Sequence, residues 1–215
     1  MPSATCESEV ASIVLVGRFN PSIFHPSWLA ANSLVRQEEA QEAKVGIVHS
    51  EVADFSLGWV HIQVTTEKFV SSAEAAHEMA LLDLVKGIFA LLEHTPTDKM
   101  GLNRAMHFRL PSVEAWHAMG HRLAPKAPWS GIVEEPGMLS LVMTGKRPGS
   151  LAKSFQAQVG PSQLVQPGIY VATNEHFESP EPEGHGKLMV LLSECWQDAQ
   201  RYAKTAARKL VDESI

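Results

Sequence analysis

The sequence predicts an α+β fold in which two similar strand–helix–strands–helix halves form a largely antiparallel sheet with long helices packed on one face. Two observations support this prediction. Short β-branched or aromatic runs alternate with long helical segments, and landmarks of the first half recur about 84 to 88 residues later. A chain of 215 residues, 45% of them hydrophobic, is long enough to form a core without staples. We therefore expect one domain over residues 1–215, with repeat halves at about 11–96 and 101–211.

The first half begins with a buried strand at residues 13–16, whose β-branched run ends at Gly17. Pro26 suits the first position of a helix, because its missing N–H would have no partner there. That helix is predicted over about residues 26–37, with the polar residues 38–43 as a candidate continuation. Residues 45–50 and 55–64 are predicted to form two further strands, the second half-exposed.

A long helix is predicted to close the first half. Ser71-Ser72-Ala73-Glu74 has the spacing of a capping box, with a glutamate three residues after a serine. The helix is expected over about residues 73–94, where apolar side chains form two adjacent stripes. A helix this apolar is expected to lie across a sheet, and Pro96 ends it.

The second half repeats this order of elements. Ser112 is the predicted N-cap of a helix that runs through about Leu123. Residues 175–183 are predicted to form an acidic loop before a last helix over about 187–211. The predicted strands of this half are 105–108, 138–144, 155–159 and 168–173.

The two halves share landmarks at nearly constant offsets, which indicates duplication of one α+β unit. The matched pairs are Pro21-Ser22 with Pro111-Ser112, Trp28 with Trp116, Gly46-Ile47-Val48 with Gly131-Ile132-Val133, and Phe55-Ser56-Leu57 with Leu139-Ser140-Leu141. Chance is the alternative, because such short matches are common. The predicted outline is similar to that of the TATA-binding protein in shape alone, and a fold does not carry a function.

Composition favours a cytoplasmic protein without a membrane segment. The net charge of −6 argues against a wholesale basic footprint for nucleic acid, although it leaves room for a local basic patch. Cys6 and Cys195 have no metal-binding spacing and suit a reducing compartment. The N-terminal residues lack the pattern of a signal peptide, and no apolar run approaches the roughly 18 residues of a membrane span.

Familiar enzyme motifs fail on spacing or context. No serine lies in a GxSxG elbow. Gly145-Lys146 resembles the end of a phosphate loop, but the first glycine and the following helix are missing. The GxGxxG fingerprint is absent as well. We therefore expect no cofactor.

One helix carries a candidate metal site. Glu114, His117 and His121 share a face of the predicted helix, and two histidines four residues apart can ligate a metal. The pattern is not HExxH, because Glu114 precedes the pair. A solvated helical face is the alternative interpretation.

A basic stripe lies near the end of the last helix. It consists of Arg201, Lys204, Arg208 and Lys209. This spacing puts the four cations on one face, where they would suit nucleic-acid phosphates or an acidic partner. Cations near a helix C-terminus also complement the macrodipole, which is the structural alternative.

A polar cluster beside a predicted strand is a second candidate partner surface. It consists of Asn103, Arg104, His107 and Arg109. Among the tryptophans, Trp129 between Pro128 and Ser130 is the best candidate for an exposed contact, since aromatic residues often anchor partners.

Two stretches resemble a bacterial family of hypothetical proteins. They are Asn20-Pro21-Ser22-Ile23-Phe24-His25-Pro26-Ser27-Trp28 and Gly101-Leu102-Asn103-Arg104-Ala105-Met106-His107-Phe108. The resemblance covers most of the chain and implies a bacterial cytosolic origin. It assigns no site residue.

The leading hypothesis is a non-catalytic protein-interaction or regulatory component of a bacterial cytosolic assembly, with a protein partner or a second copy of the chain. Two arguments favour this hypothesis. The enzyme motifs considered do not match the sequence, and a repeated sheet offers broad surfaces and edges for a partner. One alternative is a metal-dependent hydrolase using the face with Glu114, His117 and His121. The other is a nucleic-acid-binding accessory protein acting through Arg201 to Lys209.

Overall fold

The described residues form an α+β structure built on a nine-stranded antiparallel sheet, which confirms the α+β class and the largely antiparallel sheet that the sequence predicted. The computed structural model describes residues 4–179 and 185–213. The strands, in chain order, are β1 (Thr5–Gly17), β2 (Lys44–Val48), β3 (Val52–Leu57), β4 (Val60–Thr65), β5 (Lys68–Glu74), β6 (Thr97–Arg109), β7 (Leu141–Gly145), β8 (Ser154–Pro161) and β9 (Gly168–Glu178). Their order across the sheet is β2-β3-β4-β5-β1-β6-β9-β8-β7.

The described part of the chain also forms five α-helices, which connect or follow these strands. They are α1 (Pro26–Ala31), α2 (Gln37–Gln41), α3 (Glu78–Leu91), α4 (Val113–Leu123) and α5 (His185–Asp212). The described helices include none with the length and apolar character that crossing a bilayer requires.

The two longest strands, β1 and β6, pair in the middle of the sheet. Their antiparallel register runs from Thr5 opposite Arg109 to Gly17 opposite Thr97, with shifts after Cys6 and after Val16. Because each strand is paired on both sides, polar residues that local propensity would leave outside a strand are included in it. Both strands are therefore much longer than the apolar runs at 13–16 and 105–108 predicted.

The core consists of two buried clusters in which alternate strand residues meet helices. The larger contains Ile13 and Leu102 from the central strands, with Val85 of α3 and Trp196 of α5. The smaller contains strand residues Met106, Phe108 and Val171, Met119 of α4, and Ala207 and Val211 of α5.

The predicted capping box is wrong. Residues 71–74 belong to β5, and α3 begins only at Glu78, after a 3₁₀ turn at Ala75–His77. β5 pairs with both β1 and β4, and Ser71 is fully buried. The pairing on both sides outweighs a local helix-start signal.

Other boundaries differ for local reasons. The helix predicted over 26–37 ends at Ala31, because Ser33 has a left-handed φ of 58°, and α2 begins only at Gln37. The strand predicted over 55–64 is a hairpin of β3 and β4 that turns at Gly58 and Trp59. Residues 131–133 lie outside any strand, unlike their predicted counterparts in β2.

The predicted acidic loop over 175–183 is also different. Residues 175–178 extend β9, where Glu175 pairs with Leu102 and Glu178 with Lys99. Residues 180–184 lie outside the described part of the chain, and α5 begins at His185.

Candidate functional site

The candidate site is built around α4, which Ser112 begins as predicted. The hydroxyl of Ser112 accepts a hydrogen bond of 3.1 Å from the backbone N–H of Ala115. One side of the helix faces the protein: Met119 is buried, and Nε1 of Trp116 donates a 3.1 Å hydrogen bond to the carbonyl of Gly168. These contacts fix which side chains of α4 face outward.

A cleft of about 870 Å³ lies between α4, the segment that follows it and the ends of β8 and β9. Apolar and aromatic side chains form most of its walls, as is usual for ligand sites. Trp116 and Trp129 contribute aromatic rings, and Val133, Met138 and Leu139 contribute aliphatic surface. The cleft is large enough to accept several side chains of a partner.

Polar groups line the same cleft. They include His117, His121 and Lys126, which carry nitrogen atoms, and the carboxylate residue Glu135. Glu135 has a φ of 50°, a left-handed conformation that few residues other than glycine adopt. The His117 ring packs edge-on against Trp116 with centroids 5.1 Å apart. The cleft therefore combines nitrogen-bearing side chains with apolar walls.

The predicted metal-binding residues are only partly brought together. His117 and His121 line the cleft, whereas Glu114 is not among its lining residues. Hydrogen bonds from its own backbone N–H and from Ser112 lower the pKa of the Glu114 carboxyl. Within residues 4–179 and 185–213, no three His, Cys, Asp or Glu side chains are grouped so that they would hold a metal ion.

Trp129 has the exposure that the sequence predicted for a contact residue. It ends a 3₁₀ turn at Ala127–Trp129, and half of its surface is exposed. Trp116 is half-buried and packs against the smaller core cluster. The structure thus brings an exposed and an anchored tryptophan to one cleft, although their spacing in sequence gave no sign of it.

The predicted polar cluster on β6 divides between the two faces of the sheet, because neighbouring strand residues point in opposite directions. Asn103 is half-buried and lines a shallow depression of about 460 Å³. His107 is half-buried, 2.8 Å from Ser162 Oγ through Nδ1. Arg109, at the strand end, pairs with Glu7 at 2.9 Å and is exposed.

Arg104 differs from the other members of that cluster, since it is only 4% exposed. Its guanidinium donates hydrogen bonds to Glu9 on β1 at 2.6 Å and to Glu78 on α3 at 2.7 Å. A third bond reaches Gln200 on α5 at 2.9 Å. Arg104 therefore joins four elements inside the protein.

A line of polar residues crosses the sheet beside Asn103. We call it the polar row, and its members are neighbours in the strand register: Ser56, His61, Ser72, Ser12, Asn103, Asn174 and Gln156. Five of them, from Ser72 to Gln156 in this order, line the 460 Å³ depression. The row has no signal in the sequence, since its members come from separate strands.

Gly101 makes room for one member of the polar row. A Cβ atom at Gly101 would lie 2.7 Å from Nδ2 of Asn174. Asn174 donates from this nitrogen to the side-chain oxygen of Asn103. The amide of Asn103 in turn donates to the carbonyl of Gly101 at 3.3 Å.

The basic stripe of α5 makes contacts within the chain. Arg201 pairs with Asp198 at 2.6 Å, and Lys204 lies 3.9 Å from Glu9. Lys209 lies 3.9 Å from Glu213. Arg208 donates to the carbonyl of Ala4 at 3.1 Å, and its guanidinium lies over the Phe108 ring. Each of the four cations thus has a partner within the chain, and nucleic-acid binding through this stripe stays a prediction.

A second buried ion cluster was not predicted. Nε of Arg147 lies 2.7 Å from Glu175 Oε1 without hydrogen-bond geometry. Arg147 also donates to Asp198 at 2.6 Å and lies over the Tyr202 ring. Burial raises the pKa of Glu175, and the nearby Arg147 charge opposes that rise. The cluster fastens the loop before β8 to α5.

Comparisons of the chain with protein-family profiles and with curated proteins found no match.

Proposed function

We propose that this protein is a non-catalytic interaction component that holds an apolar segment of a partner protein in the cleft beside α4. The observation that carries the proposal is the meeting of Trp116 and half-exposed Trp129 in one 870 Å³ cleft. Aromatic residues that combine a fixed position with exposed surface are the usual anchors of protein interfaces.

The cleft favours a particular chemistry in its occupant. Its apolar walls suit an aromatic or aliphatic side chain. His117, His121 and Lys126 supply nitrogen donors, against one carboxylate at Glu135. The occupant we propose is an apolar peptide segment with a neighbouring aspartate or glutamate, whose carboxylate faces Lys126.

The cleft lies where the two halves of the chain differ, and we infer that the halves arose by duplication. From the central pair, strands follow outward as β5, β4, β3 and β2 on one side, but as β9, β8 and β7 on the other. In the second half, residues 131–133 occupy the chain position that corresponds to β2, yet they form no strand. Residues 131–133 are a loop where the first half has β2, and Val133 of this loop lines the cleft.

We further infer that both long helices cover the same face of the sheet. Val85 of α3 and Trp196 of α5 share a buried cluster with Ile13 and Leu102. In the strand register Ile13 lies directly opposite Leu102, so the two side chains are on one face. The polar row belongs to the alternate residues of these strands.

A dye experiment tests the cleft directly. Anilinonaphthalene sulfonate combines an apolar ring system with an anion, whereas N-phenylnaphthylamine is its neutral counterpart. Trp129→Ala is expected to weaken the binding of both dyes roughly tenfold. Lys126→Glu is expected to weaken only the anionic dye.

The matched control is Leu151→Ala, which removes another exposed apolar side chain. Leu151 precedes the start of β8, whereas the cleft residue Pro161 ends it, about 25 Å away along the strand. Dye binding that is equal in wild type and Trp129→Ala would remove the basis of the proposal.

A displayed library of random peptides tests the partner chemistry. Peptides selected on the wild-type protein are expected to carry an aromatic or aliphatic residue next to an acidic one. They are expected to lose binding to Trp129→Ala and to be displaced by the anionic dye. Selected peptides that bind wild type and Trp129→Ala equally would contradict a role for the cleft.

The free thiols of Cys6 and Cys195 support placing this interaction in a reducing compartment, the cytosol. The hydrolase alternative stays a prediction for His117 and His121, which face the same cleft. Zinc that binds stoichiometrically and is lost in His117→Ala would favour it over the interaction role.

A further inference from the structure

We propose that two copies of this chain associate through β7, pairing it antiparallel with its own copy so that one sheet continues through the dimer. The proposal does not depend on the cleft having an occupant. It rests on the edge strand, whose outward backbone groups have no strand partner in the described sheet.

The two edges of the sheet differ in protection. At one edge, β2 carries Lys44 and a register shift between Val45 and Ile47, and both features discourage pairing with another strand. At the other edge, β7 contains no charged residue and pairs with β8 in unbroken register from Leu141 to Gly145. Of the two edges of the described sheet, β7 alone lacks features that discourage pairing with another strand.

The β7 edge is free because the second half has three strands beside its central strand, where the first half has four. In the first half, β2 covers β3. In the second half, the corresponding residues 131–133 form no strand, and Met143 is 63% exposed in β7. A strand from outside the chain would occupy the position that β2 occupies beside β3.

Exposed apolar surface is concentrated beside this edge. Within β7 itself, Val142 is 49% exposed and Met143 is 63% exposed. Leu139, two residues before β7, is 88% exposed. Such a concentration marks an interaction surface.

The sequence of β7 is complementary to itself. In an antiparallel pair centred on Met143, Val142 of one copy lies opposite Thr144 of the other, and Leu141 lies opposite Gly145. The pair of β-branched side chains occurs twice by symmetry, and no like charges meet. Because each copy has one unprotected edge, the assembly closes as a dimer and does not extend into a fibre.

Light scattering after size exclusion tests the association on the full chain. Wild type is expected at twice the chain mass of 23.5 kDa. Met143→Lys, which puts a charge at the centre of the edge, is expected to elute as a monomer. Ile47→Lys is the matched control on the protected edge, where the side chain is 48% exposed, and it is expected to stay dimeric.

Cross-linking tests the register without a destabilising charge. In a chain whose Cys6 and Cys195 are replaced by serine, Met143→Cys is expected to form a disulfide-linked dimer on mild oxidation. Ile47→Cys is expected to stay monomeric on a reducing-agent-free gel.

A wild-type monomer at the highest soluble concentration would overturn the proposal. So would a dimer that Met143→Lys and Ile47→Lys leave equally intact. Dye binding in the cleft is measured separately, so failure of the dimer leaves the proposed function standing, and failure of the cleft leaves the dimer standing.

Discussion

Arg104 on β6 and Gln200 on α5 hold each other inside the protein. Nη1 of Arg104 donates a 2.9 Å hydrogen bond to Oε1 of Gln200, and Nε2 of Gln200 donates a 3.3 Å bond to the backbone carbonyl of Asn103. Both side chains are buried, at 4% and 2% exposure. The glutamine thus satisfies a buried guanidinium and a strand carbonyl together, and this fixes the position of α5 over β6.

Arg104→Ala is expected to lower the free energy of unfolding by about 3 kcal/mol, because it leaves the Glu9 and Glu78 carboxylates without their buried counterion. Arg109→Ala is the control, since Arg109 also lies on β6 and pairs with a glutamate of β1, but is exposed. It is expected to cost below about 1 kcal/mol. Urea unfolding of both variants measures the difference, and equal losses would contradict the burial argument.

Gly17→Ala is expected to destabilise the protein by about 2 kcal/mol or more. A Cβ atom at Gly17 would lie 2.1 Å from the backbone carbonyl oxygen of Pro96, which cannot move without breaking its bond to Arg18. Gly58→Ala, at a turn where a Cβ would meet nothing within 4 Å, is expected to change stability by less than about 0.5 kcal/mol. Thermal unfolding of the two variants compares them, and similar melting temperatures would refute the close-approach argument.

Stability is expected to fall as the pH drops from 7 toward 5, in part because of His107. Burial lowers the pKa of this histidine below 6.5, so the unfolded chain takes up its proton before the folded chain does. The loss begins near the ordinary pKa and is complete below the lowered one. Urea unfolding at several pH values is expected to show a smaller decline for His107→Gln, and an NMR titration that puts His107 above 6.5 would reverse the sign.

Glu178 is expected to titrate at an acid pH. Hydrogen bonds from Lys153 and His176 lower the pKa of its carboxyl from 4.5 to about 2. Its stabilising contribution is therefore present above about 4.5 and is lost as the pH falls through about 2. Carbon-detected NMR measures this pKa, and Lys153→Met is expected to raise it; an unchanged value in that variant would exclude the lysine as the main cause.

Local patterns predicted elements whose signals lie within a few neighbouring residues. Ser112 begins α4 as expected, and the last helix, predicted over 187–211, agrees closely with α5. The Ser71-Ser72-Ala73-Glu74 pattern failed because partner strands on both sides, distant in sequence, determine the structure of β5. The burial of Arg104 was predictable from sequence. Arg104, Met106 and Phe108 are alternate residues of β6, so all three side chains point to the same, buried side of the strand.

The candidate site was only partly predictable. His117, His121 and Trp129 were singled out from sequence, and the structure brings all three to one cleft. The cleft itself depends on the segment after α4 forming no strand and on β7 ending the sheet. Both are consequences of strand pairing across the chain, which spacing within a helix does not reveal.

The polar row has a consequence for how the protein behaves in water. A broad sheet surface made of valine and isoleucine would be poorly hydrated and would associate with any similar apolar surface. Here hydroxyl and amide groups follow one another from Ser72 through Ser12 to Asn103 and Asn174, so a film of water can bond along the whole row. Val10, Val14 and Val70 line the same depression, so polar and apolar side chains share this face of the sheet. Stacking two such faces would remove water from the hydroxyl and amide groups of the row, and this cost disfavours face-to-face association.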